Sequence, residues 1–230
     1  MPDDDRETAR RAYHAPGRAE RARHTRARIV TAAGDLFRAQ GYAATTVRAV
    51  AARAGVSVPT VELAFGTKPR LLKSAIDVAI AGDDEPVAVL QRDWARKAAA
   101  SDTVAELLAI FGKVFVAAAS RAAELVVAAY EAAPTDPEIK ALAERQEAQR
   151  TITVGWLVDG LVARAPLRPG MSRAAAVDTV WLLMDPVVFS RLTRHRGWSP
   201  DDVERWFTDS IPRLLLAPGW DAKGHSDGRT

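Results

Sequence analysis

The sequence predicts an all-α protein in which a small N-terminal head of three helices is joined to a larger helical body. Two observations support this prediction. Apolar residues recur at helical spacing from about residue 25 onward, and the breaks between these segments carry residues that stop or cap helices. No segment shows the alternation of a strand. With 230 residues, 48% of them hydrophobic, the chain can hold one small and one larger domain.

Changes in composition divide the chain into four parts. Residues 1–22 carry repeated charges and little apolar periodicity, so we expect a disordered basic arm. Residues 23–82 form the head, residues 83–217 form the body, and residues 218–230 form a disordered tail. Body helices are predicted at residues 87–99, 103–117, 119–132, 137–163, 172–196 and 200–216, with Pro186 kinking or splitting its helix.

Positive charge is concentrated in the first third of the chain, in the arm and the head. Between Arg6 and Arg70 there are 13 lysines and arginines against four acidic residues, a net charge of +9. From Leu71 onward there are 19 basic and 22 acidic residues, a net charge of −3. Clustered cations raise the affinity for phosphates by releasing counterions, so this asymmetry indicates that the first third of the chain meets a polyanion.

Several function classes are not expected. The chain has no cysteine, which excludes disulfides and thiol chemistry, and no apolar run long enough for a membrane helix or secretory signal, so we expect a cytoplasmic protein. The four histidines lack metal-ligand spacing, and no phosphate-binding or nucleophile motif is present. Asp159 and Asp185 are more typical of helix faces and caps. We therefore predict no enzyme, no catalytic residue, no metal and no cofactor.

The head has the local signals of a helix-turn-helix. Gly41 ends the first helix, and Thr45 and Thr46 offer hydroxyl caps to the second. Gly55 can take the left-handed conformation of a sharp turn, and Ser57 can cap the third helix. Pro59 in the first turn of that helix and Thr67 at the start of a fourth complete the pattern.

These residues resemble the TetR family of bacterial repressors over about Arg23 to Ile80. The matching positions are Ile29, Ala32, Ala33, Leu36, Phe37, Gly41, Tyr42, Ala44 to Val47, Ala54 to Ser57, Phe65 and Lys68. The resemblance implies a DNA-binding head, a body that dimerises and binds a small molecule, and a repressor that this molecule, expected to be apolar, releases from its operator. The alternative is a ligand-independent or weakly specific DNA-binding protein.

The resemblance also implies the DNA contacts. Thr46 and Lys68 would touch phosphates, and Arg48 would reach a base edge, where its paired donors suit guanine. For Lys68 the alternative is a solvated surface lysine, and for Ser57 it is capping alone. The exposed start of the recognition helix comprises Ser57, Val58, Pro59 and Thr60.

One departure from the family concerns Glu62, which stands where members usually have a tyrosine that binds phosphate. A carboxylate is repelled by phosphate unless it accepts a hydrogen bond from a base or pairs with an arginine. With Val58 and Pro59 at the helix tip, we expect Arg48, thymine-methyl contacts and the basic arm at Arg18 to Arg26 to carry more of the binding than usual.

For the body, the resemblance implies a homodimer through helices near 137–163 and 172–216. Two heads in successive major grooves, about 34 Å apart, then read a pseudo-palindromic operator. The middle helices would hold the ligand, although the same aromatic residues also suit an ordinary core. The candidate lining residues are Trp94, Phe111, Phe115 and Tyr130.

Overall fold

The computed structural model describes residues 4–85 and 87–220, with side chains described from residue 17. Over these residues the regular structure is helical, apart from an isolated bridge between Leu167 and Leu216. The predicted all-α fold class is confirmed. The chain divides into two compact units, Met1–Val78 and Ala79–Thr230.

The first unit includes the predicted arm as well as most of the predicted head, and from here on we call this whole unit the head. It contains α1 (Asp4–Ala44), α2 (Val47–Ala54), α3 (Val58–Phe65) and most of α4 (Lys68–Ala81). Apolar residues three and four apart on these helices meet in one core, because such spacing places them on one helix face. The buried residues include Ile29, Ala33, Phe37, Val50, Ala51, Ala54, Val61, Phe65, Leu71 and Leu72.

Helix α1 begins at Asp4, whereas the sequence predicted a disordered arm over residues 1–22. The physical reason is composition: this stretch holds five alanines and five arginines, which are strong helix formers and need no apolar stripe to extend a helix that already exists. The tail predicted beyond residue 218 lies almost wholly outside the described residues.

Gly41 interrupts α1 near its end, as the sequence predicted. Its φ of 74° and ψ of 178° are not helical, and glycine adopts such a positive φ without the steric cost of a side chain. Thr45 is fully buried just beyond this break, and its hydroxyl donates to the Gly41 carbonyl at 2.7 Å. The break therefore ends the long helix and sets the start of α2.

The second unit, which we call the body, contains the remaining helices around one apolar core. They are a short 3₁₀ turn at Val89–Gln91, α5 (Asp93–Ala99), α6 (Val104–Ala132), α7 (Pro137–Val162), α8 (Arg173–Leu183), α9 (Pro186–Ser190) with a π-helical turn at Arg191–His195, and α10 (Pro200–Leu215). Among the helices described, none is both long enough and apolar enough to cross a membrane.

Two body helices differ from the sequence prediction. In the segment predicted as a helix over 87–99, residues Val89–Gln91 form a 3₁₀ turn, and the α-helix begins only at Asp93. The segments predicted as 103–117 and 119–132 form the single helix α6, because the alanines at 117–119 are strong helix formers and offer no stop signal.

The α8–α9 region is split where Pro186 was predicted to kink or split its helix. Pro186 occupies the first turn of α9, and Asp185 caps this helix by accepting a hydrogen bond from the Val187 N–H at 2.7 Å. Asp185 also forms an ion pair with Arg150 of α7, with Nη1 and Oδ2 3.1 Å apart. The Arg150 guanidinium lies 3.8 Å from the centroid of the Trp181 ring. Pro186 and the Asp185 cap thus begin α9 as a separate helix, and the ion pair ties this start to α7.

Candidate nucleic-acid interface

Helices α2 and α3 are joined by a tight turn at Gly55, Val56 and Ser57. Gly55 has φ 64° and ψ 41°, in the left-handed region that favours glycine, and its N–H donates to the Ala52 carbonyl at 3.2 Å. The Ser57 hydroxyl accepts from the Thr60 N–H at 3.3 Å and so caps α3. This geometry is the helix-turn-helix that the sequence predicted.

The start of α2 presents two polar side chains to solvent. Thr46 is the N-cap, and its hydroxyl accepts from the Ala49 N–H at 3.1 Å, as predicted for a cap. Arg48 is exposed in the first turn, and the described residues offer it no hydrogen bond or ion pair. Arg53, near the other end of α2, is instead paired with Asp35 at 3.1 Å. Arg48 is thus a cation of α2 whose donors are available to a ligand.

The start of α3 also lies at the surface. Ser57 and Pro59 are exposed, whereas Val58 and Thr60 are half-buried. The Ser57 and Thr60 hydroxyls are 2.8 Å apart and hydrogen-bonded to each other. Ser57 therefore has the capping role that the sequence offered as an alternative, and contact with DNA by these four residues remains a prediction.

Lys68 is held inside the head rather than extended into solvent. Its ammonium donates to the carbonyls of Tyr42 at 2.8 Å and Thr45 at 2.9 Å, and lies 3.9 Å from the centroid of the Tyr42 ring. Lys68 thus fixes the start of α4 to the residues that precede α2. The predicted phosphate contact is untested, and the structure adds a role in positioning Thr46.

Two arginines have structural partners that the sequence did not reveal. Arg26 donates to the Ala64 carbonyl at 2.8 Å and lies 4.2 Å from the centroid of the Phe65 ring. Arg28 donates to the Ala54 carbonyl. Carbonyl groups at the C-terminal end of a helix carry partial negative charge, which these guanidinium groups neutralise for α3 and α2. Arg26, predicted to serve as a basic arm residue, therefore also holds the head together.

Three of the four predicted ligand residues meet in the body core. Trp94 packs edge-on against Phe111, with ring centroids 5.9 Å apart, and the rings of Phe115 and Phe207 are 4.6 Å apart. Phe111 and Phe115 are buried. We call Trp94, Phe111, Phe115, Trp156, Phe189 and Phe207 the aromatic cluster. Its rings contact one another, as expected for an ordinary core, which was the alternative to a ligand site in the sequence analysis.

Tyr130 lies elsewhere in the body. It is half-buried at the end of α6, and the described residues place no aromatic ring of the cluster against it. Burial raises the pKa of its phenol, an effect that the nearby Arg150 guanidinium opposes. The structure therefore does not bring Tyr130 together with the other three predicted ligand residues.

An open groove of about 420 Å³ runs along α7 and α8. Acidic, small and aromatic side chains line it: Glu144, Glu147, Ala148, Thr151, Val177, Asp178 and Trp181. In the described part of the chain, no three histidine, aspartate or glutamate side chains are grouped so that they could hold a metal ion.

The head matches a known family. Residues 29–75 match the model of bacterial regulatory proteins of the TetR family. A comparison with curated protein sequences gives no significant match.

The fold of the whole chain matches solved structures of low sequence identity. SmeT in complex with triclosan superposes with a TM-score of 0.65 at 16% identity over 90% of this chain and 99% of that one. NalD of Pseudomonas aeruginosa, the secondary repressor of the MexAB-OprM multidrug efflux pump, gives 0.63 at 20% identity over 86% and 98%. A transcriptional regulator of Saccharomonospora viridis in complex with choline gives 0.64 at 16% identity over 84% and 98%.

Regulators of the TetR family are DNA-binding proteins rather than enzymes, and they typically bind their operators as dimers. The helix-turn-helix geometry, the basic charge of the head and the residues matched by the family model all indicate the same kind of head. The head is therefore similar to the TetR family of bacterial regulatory proteins over residues 29–75, and the chain has the fold of the solved regulators named above.

Proposed function

We propose that this protein is a cytoplasmic, sequence-specific transcriptional repressor that binds a pseudo-palindromic operator as a homodimer and is released by a small apolar ligand. The observation that carries this proposal is the exposed α2–α3 surface. Arg48 and the start of α3 lie at the surface of a head with a net charge of +9 between Arg6 and Arg70. Arginine donors read base edges, and the surrounding charge attracts the phosphate backbone.

Exposed apolar side chains on α7 and α8 support the homodimer. Ile152 of α7 is 56% exposed and Leu182 of α8 is 59% exposed, and these two helices pack against each other. Exposed apolar residues on neighbouring helices are typical of an interface with another chain. We propose that Ile152 and Leu182 lie in the dimer interface.

Replacing Leu182 with glutamate is expected to weaken dimerisation at least tenfold, or about 1.4 kcal/mol, because the interface would bury a carboxylate without a partner. Sedimentation equilibrium measures this change. Val87→Glu is the matched control, since Val87 is 38% exposed and lies outside the proposed interface. If both variants dimerise like the parent protein, Leu182 is not an interface residue.

The aromatic cluster is the proposed region for ligand binding. Choline and triclosan are bound in two proteins of similar fold. In this chain the rings fill one another's space, so a ligand must displace ring contacts to enter. The ligand can then shift the protein only by its difference in affinity between the arrangement that keeps these ring contacts and the one that lacks them.

Two hydrogen bonds join α6 of the body to the end of α4, which supports a mechanism in which ligand binding moves α4. Arg121 of α6 donates to the carbonyls of Ala79 at 2.8 Å and Ile80 at 3.2 Å, near the end of α4. Helix α4 is the segment of chain that continues from the head into the body. A displacement of α6 by ligand would therefore act on α4, which leads into each head of the dimer.

A second candidate function is ligand-independent or weakly specific DNA binding. Glu62 is exposed on α3, where a carboxylate opposes phosphate contact, and the closely packed aromatic cluster is equally compatible with a body that takes no ligand. Such a protein would show a steep dependence on salt and little preference among sequences.

Selection of random duplex DNA on the purified protein at near-physiological salt tests the proposal. We expect enrichment of a two-fold pseudo-palindrome with half-sites about one helical turn apart. Enrichment of no sequence, together with tight binding at low salt, would establish the weakly specific alternative. The selected operator then allows a screen for ligands that release it.

A further inference from the structure

Leu63 is an exposed leucine on the recognition helix α3. Its side chain is 92% exposed, more than any other large hydrophobic residue in the described part of the chain. It lies four residues after Pro59, so both residues fall on one face of the helix. A leucine with so little contact to the head does not contribute to its core.

The neighbours of Leu63 limit what this face of α3 can recognise. The Ser57 and Thr60 hydroxyls bond to each other, which occupies one of their two protons. Glu62 is exposed, and a carboxylate accepts hydrogen bonds rather than donating them. The exposed face of α3 is therefore mainly apolar, with an acceptor that suits the amino groups of bases rather than phosphate oxygens.

In the major groove, the apolar group that a base edge presents is the methyl on C5 of thymine. We propose that Leu63 packs against such a methyl and makes α3 selective for thymine at one position of each half-site. This inference rests on the function proposed above, and it makes Leu63 a specificity-determining residue of the protein. The same methyl occurs on 5-methylcytosine, so the experiment separates the two bases.

The test uses the full-length protein and the operator recovered by selection. Each thymine is replaced symmetrically by deoxyuridine, which removes the C5 methyl and leaves every hydrogen-bonding group in place. We expect one position at which the parent protein loses about fourfold in affinity per half-site, or about fifteen-fold for both, from about 0.8 kcal/mol per methyl group. Leu63→Ala should bind the thymine and deoxyuridine operators at that position equally.

Two further variants make the comparison sharp. Leu63→Met keeps an apolar side chain and should retain most of the deoxyuridine penalty. Val87→Ala shortens an exposed valine of the body and should behave like the parent protein. Because Leu63 is almost fully exposed, its replacement should leave the thermal unfolding midpoint of the protein unchanged, which a melting curve checks.

Three results would overturn the inference. A deoxyuridine penalty of equal size in the parent protein and Leu63→Ala would mean that another residue contacts the methyl. A gain in affinity with 5-methylcytosine, without any deoxyuridine penalty, would identify methylated cytosine as the base. Failure to enrich any sequence would contradict this inference and the proposed function together, whereas the first two results leave the proposed function intact.

Discussion

Asp185→Asn is expected to lower the free energy of unfolding by about 3–5 kcal/mol, because it removes the partner of a buried cation. The Arg150 side chain is 9% exposed and that of Asp185 is 15% exposed, with 3.1 Å between Nη1 and Oδ2. Asparagine can still cap α9, so the loss reports the charge rather than the cap. Urea denaturation of the full-length protein measures the change.

The exposed ion pair between Asp159 and Arg173 is the matched control. Its atoms Oδ1 and Nε are 2.6 Å apart, but the side chains are 60% and 58% exposed. The Arg173 hydrogen bond lowers the pKa of Asp159, yet solvent screens this pair. Asp159→Asn should therefore cost less than about 1 kcal/mol. Equal losses in the two variants would show that burial of Arg150 does not determine the effect.

A double variant separates the charge from the packing. Arg150→Met combined with Asp185→Asn removes both charges while a long side chain still covers Trp181. We expect the double variant to recover most of the stability that Asp185→Asn loses, because a buried ion pair can be replaced by apolar groups at little cost. An additive loss would instead indicate that the two residues act independently.

Arg48→Ala is expected to weaken binding to the selected operator by about 1–3 kcal/mol per half-site, and so by about 2–6 kcal/mol for the dimer. Arg48 is exposed at the start of α2 with no partner among the described residues, so its donors are free to meet a base. On an operator already altered at the base step that Arg48 reads, Arg48→Ala and the parent protein should bind equally well, because neither makes the specific contact there. Fluorescence anisotropy with single-base operator variants measures both effects.

Two other cations of the head serve as comparisons. Arg53 lies on the same helix but is paired with Asp35, so Arg53→Ala should change operator binding less than Arg48→Ala. Lys68→Ala should weaken binding to all sequences alike, because Lys68 holds the residues before α2 and is expected to act through phosphates. If Arg48→Ala also weakens all sequences equally, Arg48 contacts phosphate rather than a base.

Much of the head could be predicted from local sequence. The break at Gly41, the cap at Thr46, the turn at Gly55 and the cap at Ser57 are set by interactions over one to four residues. The split at Pro186 has the same local origin, since proline is disfavoured inside a helix but accepted in its first turn. The start of α1 was missed because charge without periodicity was interpreted as disorder.

The partners of long polar side chains could not be predicted in this way. Arg26 reaches a carbonyl 38 residues away and Lys68 reaches carbonyls 23 and 26 residues away. These pairs depend on how the helices pack. A long, flexible cation at a given sequence position could reach either DNA or a carbonyl inside the head, so its position does not distinguish the two. The aromatic residues of the body pose the same ambiguity, because periodicity gives the buried face of a helix but not what covers it.

The sequence by itself determined the helical class, the helix-turn-helix and the basic head, because caps, turns and charge are properties of neighbouring residues. Tertiary structure decided which cations remain available for DNA, that Trp94, Phe111 and Phe115 pack together while Tyr130 lies apart, and that Arg150 is buried beside Asp185. The physical reason is that burial and pairing depend on distances between helices, which local spacing does not specify.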